Sequence, residues 1–395
     1  MPNPNISRLQ SIAGKQTCRA IGLMSGTSLD GLDIALCDIT GSGYDTKVEL
    51  IEFTTQPYFV SQKEKIREIF SVNKVDLEHL CVYNAWLGNL HGEMIMQALV
   101  DWNCAPDTID FVASHGQTVY HAPSTKHGMH SMPNATLQIS DGDHIAIKTG
   151  ILTISDFRQK HTAAGGEGAP LAGYVDELLF FERGEKRVLL NIGGIGNITW
   201  LDGTAGNQPV MITDTGPGNT LIDARVHFFY PDLHYDEDGK IARQGRVSEE
   251  LLAILKRDSF FKLPLPKSTG PEYFNRFFFE NALKETGIAI SQEDQIATLA
   301  RLTVESIADV IREVSNDEPC ELYVSGGGCH NPVIKQGLRD QLAFTQVYPF
   351  EQLGMNPDAK EAIIFAVLGN ETLRGNGIRF SNDRHVSLGK ISFPA

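Results

Sequence analysis

The chain has 395 residues, a formal net charge of −15, 42% hydrophobic and 21% charged residues. The length exceeds what one core usually supports, so two domains are expected. The acidic balance argues against a polyanion such as nucleic acid as partner, though not against a nucleotide whose charge is met locally. Six scattered cysteines form no CxxC pair, which fits a reducing cytoplasm rather than a zinc site or disulfide framework. No run approaches the ~18 apolar residues of a membrane span.

Residues 1–17 lack the apolar core of a signal peptide and read as a loosely ordered extension. Apolar runs at 21–24 and 32–37 flank Ser25-Gly26-Thr27-Ser28, the pattern of a hairpin, and 48–53 reads as a third strand. Helical spacing follows at 63–70 and 77–102, with Leu80, Tyr83, Leu87, Leu90 and Met94 on one face. A buried strand at 109–113 ends in Ser114-His115-Gly116-Gln117-Thr118, and 137–139 reads as a short strand. Asp141 is placed to cap a helix through 144–148, closed by Gly150. A strand at 151–154 leads into a polar, glycine-rich segment at 156–170, and 171–181 resumes helical spacing. A hairpin at 188–201, a strand at 210–214 and helices near 218–228, 248–256, 271–285, 292–314, 332–341 and 358–374 complete the chain. Both halves begin with antiparallel strands and continue as strand-plus-helix units. This predicts a duplicated α/β architecture with a cleft between an N-terminal lobe, 18–187, and a C-terminal lobe, 188–395.

Three glycine turns each follow an apolar strand: Ser25 to Ser28, Gly193-Gly194 within RVLLNIGGIGNITW, and Gly326-Gly327-Gly328 within ELYVSGGGCHN. Glycine lets the backbone approach phosphate oxygens, and hydroxyls add donors. Asp30 and Asp33 beside the first turn are suited to Mg²⁺, directly or through water. Asp214 precedes a helix start that offers free N–H groups. The chain has no GxxxxGK[ST] loop, no strand-GxGxxG-helix fingerprint and no kinase HRD or DFG signature.

Seven segments, SGTSLDGLD, SHGQT, DFR…AAGGEGAPL, NIGGIGNIT, DTGPGNTLIDA, PKSTGPEYFN and SGGGCHNP, occur in the order seen in anhydro-N-acetylmuramic acid kinases. The resemblance covers about residues 19–374. It implies two ribonuclease-H-like lobes of the actin and sugar-kinase kind, closing on ATP and Mg²⁺ as a cytoplasmic homodimer. It implies hydrolytic opening of 1,6-anhydro-N-acetylmuramic acid with phosphorylation at O6, a step of cell-wall recycling. Alternatives are another anhydro sugar such as levoglucosan, or an ATP-binding sugar sensor with weak catalysis. On this resemblance Ser25, Gly26, Thr27, Ser28, Gly193 and Gly194 hold phosphates, and Gly326, Gly327, Gly328 and Asn331 hold adenosine. His115, Gln117, Arg158 and Glu361 face the sugar, and Asp30 and Asp214 serve the metal. One departure stands out. The family pattern DFRxxDxAxGGQGAPL carries a water-activating aspartate where this chain has His161, and a glutamine where it has Glu167. His161 and Glu167 are therefore the two candidate bases, since either can hold a lone pair near neutral pH.

Overall fold

The computed structural model describes residues 3–26, 28–204, 210–380 and 384–395. It divides into Met1–Leu179 with Asp358–Ala395, and Phe180–Pro357. The first unit opens with helix α1 (Pro4–Ala13), where looseness was expected. Asn3 caps it, its side chain accepting the Asn5 N–H at 2.9 Å, and Ile12 is buried. Strands β1 (Thr17–Ser25), β2 (Gly31–Thr40) and β3 (Lys47–Pro57) form an antiparallel meander. Helices α2 (Val60–Ile69) and α3 (Leu77–Asp101) follow. Asp76 caps α3, and Leu87, Met94, Ile95 and Leu99 enter the core. Next come β4 (Phe111–Ala122), the single turn α4 (Ser124–His127), β5 (Ala135–Ile139), α5 (Gly142–Thr149), β6 (Leu152–Ser155), α6 (Phe157–Ala163) and α7 (Ala172–Phe180).

Two of these differ from the sequence expectation. β4 continues through SHGQT, because its second half gains an antiparallel partner in β5 and Gly116 takes φ +73° at the bend. The segment read as polar loop contains α6, whose Phe157, His161 and Thr162 are buried. Asp141 does cap α5 and Gly150 closes it with φ +71°.

The second unit repeats the plan. Strands β7 (Lys186–Ile192), β8 (Ile195–Asp202) and β9 (Met211–Pro217) form a meander, followed by α8 (Thr220–Phe229), α9 (Glu249–Lys256), α10 (Arg276–Thr286) and α11 (Gln292–Ser315). Strand β10 (Cys320–Ser325), α12 (Pro332–Gln341) and β11 (Thr345–Pro349) complete it. α10 starts later than expected because Asn275, not Pro271, is its cap. β11 escaped the sequence reading, being short and without a fully buried residue.

The chain then returns to the first unit with α13 (Lys360–Arg374), β12 (Ile378–Phe380), β13 (Arg384–Val386) and β14 (Lys390–Ser392). The expected lobe 188–395 is corrected here: residues 358–395 belong with the first unit. The reason is packing. Ala362 to Glu371 are buried without interruption, and α13 lies directly on β1. A Cβ at Gly22 would sit 1.9 Å from the Ala362 carbonyl oxygen. Ile363, Phe365, Val367 and Leu368 each contribute about 1.5–3 kcal/mol of apolar burial. β14 pairs antiparallel with β6.

The sheets run β14-β6-β4-β1-β2-β3 and β11-β10-β7-β8-β9. In each, three antiparallel strands are extended on the side of the first by two parallel ones, β4 and β6 or β10 and β11. That shared order is the ribonuclease-H-like plan, so the α/β expectation holds for both units.

Candidate functional site

In the first unit the loop after β1 is built to expose backbone. Leu29, with φ +58°, buries its side chain and pins the loop, while Ser28 and Asp30 stay exposed. Thr27 lies outside the described residues. Nothing in the fold requires glycine at Gly26: the nearest atom to a Cβ there would be Ser28 Oγ at 3.8 Å. A glycine that packing does not demand leaves backbone bare for a ligand. Beneath the loop Gln117 is fully buried rather than presented to a ligand. Its Oε1 accepts from Ser25 Oγ at 2.6 Å and its Nε2 donates to the Gly26 carbonyl at 3.3 Å.

The parallel strands β4 and β6 deliver His115 and α6 to the same end of the sheet. Arg158, on α6, donates from Nε to His115 Nε2 at 2.9 Å and from Nη1 to the Gly168 carbonyl at 2.8 Å. His115 is buried, which holds its pKa well below the ordinary value, and the Arg158 charge adds to this. Since Nε2 accepts, neutral His115 carries its proton on Nδ1. Burial lowers Arg158 to about 10, opposed by the charge of Glu361. α13 brings Glu361 to this group in its first turn. The residue keeps an exposed face, yet desolvation by the surrounding protein and then the Asp33 charge hold its carboxyl above the usual range, against Arg158 and Lys360. Asp33 is raised likewise, by burial first and then by Asp358 and Asp30, although Thr55 Oγ1 donates to it at 2.6 Å. A carboxyl beside a guanidinium, as Glu361 is to Arg158, can receive sugar hydroxyls.

The two candidate bases separate sharply. His161 is 5% exposed, and its Nδ1 accepts the Gly168 N–H at 2.8 Å. The neutral ring therefore carries its proton on Nε2, which faces Tyr174 Oη at 3.2 Å. Burial, then the Arg158 charge, lowers it to about 4. A Cβ at Gly166 would lie 2.3 Å from its Cε1, so the ring is wrapped by the loop. The expectation of His161 as a water-activating base is corrected on this geometry: the neutral ring's lone pair is spent on a backbone amide. Glu167, one residue before that amide, is exposed, and its charge reaches the half-buried His121 ring.

In the second unit the remaining glycine turns converge. Gly218, Asn219 and Thr220 N–H groups donate to the Gly194, Gly193 and Gly194 carbonyls at 2.9, 2.8 and 3.2 Å. Asn219 Nδ2 donates to the Ile192 carbonyl at 3.2 Å. Gly326 takes φ +81° against Asn191, so the fold itself demands that glycine. Gly193 and Gly327 are different: a Cβ at either would meet nothing closer than 3.6 Å. Within these turns they are the positions where neither packing nor a positive φ demands glycine, as at Gly26 in the first unit. Asn331 is the cap of α12, accepting the Val333 N–H at 2.9 Å, and so carries a structural duty whatever else it does. Asp214 is half committed: its Oδ2 accepts the Thr269 N–H at 2.8 Å and Ser268 Oγ at 3.2 Å, and burial raises its pKa. Asp30 stands in the first unit and Asp214 in the second. Among the described residues no three His, Cys, Asp or Glu side chains gather as a metal cluster. Mg²⁺ needs only one or two carboxylates beside water and phosphates, and exposed Asp30 fits that role.

Sequence reasoning missed Tyr58, His91, Ser140 and Tyr174. Single polar residues inside helical or strand patterns carry no local signal, and only packing reveals their partners.

Among the described residues no helix is long and apolar enough to cross a membrane. A family model described as anhydro-N-acetylmuramic acid kinase matches residues 18–382. The anhydro-N-acetylmuramic acid kinase of Pseudoalteromonas atlantica is 47% identical over 399 residues, covering 99% of this chain and 100% of that protein. Its namesakes from Pseudoalteromonas translucida and Caldanaerobacter subterraneus subsp. tengcongensis are 44% and 39% identical, over 99% and 98% of this chain and 99% and 100% of theirs. With the bare glycine turns intact and the match running almost end to end, the chain belongs to the anhydro-N-acetylmuramic acid kinase family of phosphotransferases.

Proposed function

We propose that this chain transfers the γ-phosphoryl group of ATP to O6 of 1,6-anhydro-N-acetylmuramic acid, while water opens the bridge at C1. The product is N-acetylmuramic acid 6-phosphate, which places the enzyme in cell-wall recycling. The observation that carries this reading is end-to-end family membership combined with glycines at 26, 193 and 327 that the fold does not need. In the balance of the reaction, water adds its oxygen to C1, the C1–O6 bond breaks, and O6 attacks the γ-phosphorus as ADP leaves. Water loses a proton to a base, and Glu167 is the group we assign. It is an exposed carboxylate on the loop that Arg158 and His161 fasten through Gly168. His161 acts as the fastening, not the base. Arg158, Glu361 and Asp33 orient the sugar, with His115 holding the Arg158 fork. The bare turns of the second unit are suited to nucleotide, and the bare Gly26 backbone after β1 is suited to phosphate. Mg²⁺, held through Asp30, would neutralise phosphate charge. Catalysis of this kind rests on positioning and charge neutralisation.

The test is a transfer assay with 1,6-anhydro-N-acetylmuramic acid, N-acetylmuramic acid and levoglucosan side by side, read by mass spectrometry. A product equal to the anhydro sugar plus water plus one phosphoryl group supports the reading. A phosphorylated product only from the sugar with a free 6-hydroxyl would replace it with an ordinary sugar kinase, which needs no water base. ATP binding without turnover on any of the three would favour a sensor. The cytoplasmic homodimer is part of the same proposal, and light scattering in solution checks the dimer.

A further inference from the structure

Five buried polar side chains form a continuous hydrogen-bonded chain beneath the 25–28 loop. Ser140 Oγ meets His91 Nδ1 at 2.8 Å, and His91 Nε2 meets Tyr58 Oη at 2.7 Å. Tyr58 Oη meets Ser25 Oγ at 2.9 Å, and Ser25 Oγ meets Gln117 Oε1 at 2.6 Å. None of the five is more than 6% exposed. They come from five places: the turn between β5 and α5, the middle of α3, the residue just after β3, the end of β1, and β4.

The chain has one direction, and the direction can be derived. Gln117 Nε2 points at two carbonyl oxygens, those of Gly26 and Thr118, each at 3.3 Å. An amide turned the other way would set oxygen against oxygen, so Nε2 is the donor and Oε1 the acceptor. Ser25 must then donate to Gln117, leaving its oxygen to accept from Tyr58. Tyr58 in turn accepts from His91 Nε2–H, and the neutral ring accepts from Ser140 at Nδ1. Burial lowers His91 to about 3, so the ring stays neutral and its tautomer fixed. Two consequences follow at the loop. The Ser25 hydroxyl is locked inward, and the Gly26 carbonyl is drawn toward Gln117 and away from the open side. An inward carbonyl keeps an acceptor oxygen off the face a phosphate would approach.

We infer that His91 and Tyr58 are positioning residues for nucleotide phosphate, acting through Ser25 and Gln117 on the Gly26 backbone. The inference rests on reading the loop after β1 as the phosphate loop. Neither residue reaches solvent, so neither can touch ATP itself.

The test uses the full-length protein with His91→Phe, Tyr58→Phe, His91→Gln and Gly26→Val. Tyr58→Phe keeps the ring and removes only the hydroxyl, so it remains informative even where His91→Phe folds poorly. Folding is checked by thermal melting, and KM for ATP, KM for the anhydro sugar, and adenosine affinity are measured on each. Breaking the relay should raise KM for ATP about ten-fold, the scale of one buried hydrogen bond, with sugar KM and adenosine affinity unchanged. His91→Gln keeps a donor near Nε2 and should recover most of the loss. A purely structural role would lower the melting temperature and the active fraction while leaving KM for ATP at the wild-type value, which would overturn the inference. Gly26→Val separates the two layers of the argument. A Cβ there meets nothing closer than Ser28 Oγ at 3.8 Å, while the added side chain would obstruct phosphate. If it raises KM for ATP while folded His91→Phe and Tyr58→Phe do not, the relay inference fails alone. If all leave KM for ATP unchanged, the phosphate-loop reading fails with it.

Discussion

Glu167→Gln and His161→Ala should fail in opposite ways, although they lie six residues apart. Glu167 is exposed, so exchanging its carboxylate for an amide should change stability by less than about 0.5 kcal/mol. A lost general base removes typically 10²–10⁴ in rate, or about 3–5 kcal/mol of barrier. His161 is the reverse case. Truncating it deprives the buried Gly168 N–H of its acceptor, which costs about 1–3 kcal/mol, and leaves a void against Gly166. Its effect on turnover should come only through loosening of the 164–168 loop, roughly ten-fold or less, well short of losing a base. The assay is ADP release under saturating ATP and anhydro sugar, paired with thermal melting of each variant. The expected pattern is a cold-stable, slow Glu167→Gln and a destabilised but active His161→Ala. A turnover number within about three-fold of wild type for Glu167→Gln would remove it as the base. A folded His161→Ala with the larger loss would return that role to the histidine and refute the tautomer argument.

Four further outcomes are expected. His91 and His161 are held neutral, at about 3 and about 4 against an ordinary 6.5, so the unfolded chain binds more protons between those values. Their stabilisation is complete above about pH 6.5 and is lost as pH falls through that window. A melting temperature flat from pH 7 down to 4.5 would contradict their burial as neutral rings. Gly193→Ala and Gly327→Ala should melt like wild type, because a Cβ at either meets nothing closer than 3.6 Å, yet lose ATP affinity; unchanged KM for ATP in both would remove these turns from the nucleotide site. Asp30→Asn should slow turnover by about 10²–10³ at saturating Mg²⁺ with little change in melting, and an unchanged rate would remove Asp30 from the metal. Gly22→Ala should lower stability by about 1–3 kcal/mol or more in chemical denaturation, because its methyl falls on the backbone of α13; a neutral result would contradict the close packing of that helix on β1.

The sequence alone determined most of the strands, the glycine turns, the two-part α/β plan and the family, because each is written in local pattern; the short β11 to β14 were not. Apolar runs broken by Gly-Gly or Ser-Gly announce a strand and its turn without help from the rest of the chain. Asp141, three residues before a helix pattern closed by Gly150, announced α5 in the same way. Tertiary structure alone decided three things. The closing segment 358–395 joins the first unit because α13 buries an uninterrupted face on β1 and β4, and a helical pattern does not say which sheet it will cover. His161 is spent on an amide seven residues ahead, so its chemistry depends on a hydrogen bond that no spacing encodes. Ser25, Tyr58, His91, Gln117 and Ser140 are far apart in the chain, and only Ser25 and Gln117 stood out singly. They become one device only when the fold brings them within hydrogen-bond distance in its buried interior, where an unpaired polar group is too costly to leave alone.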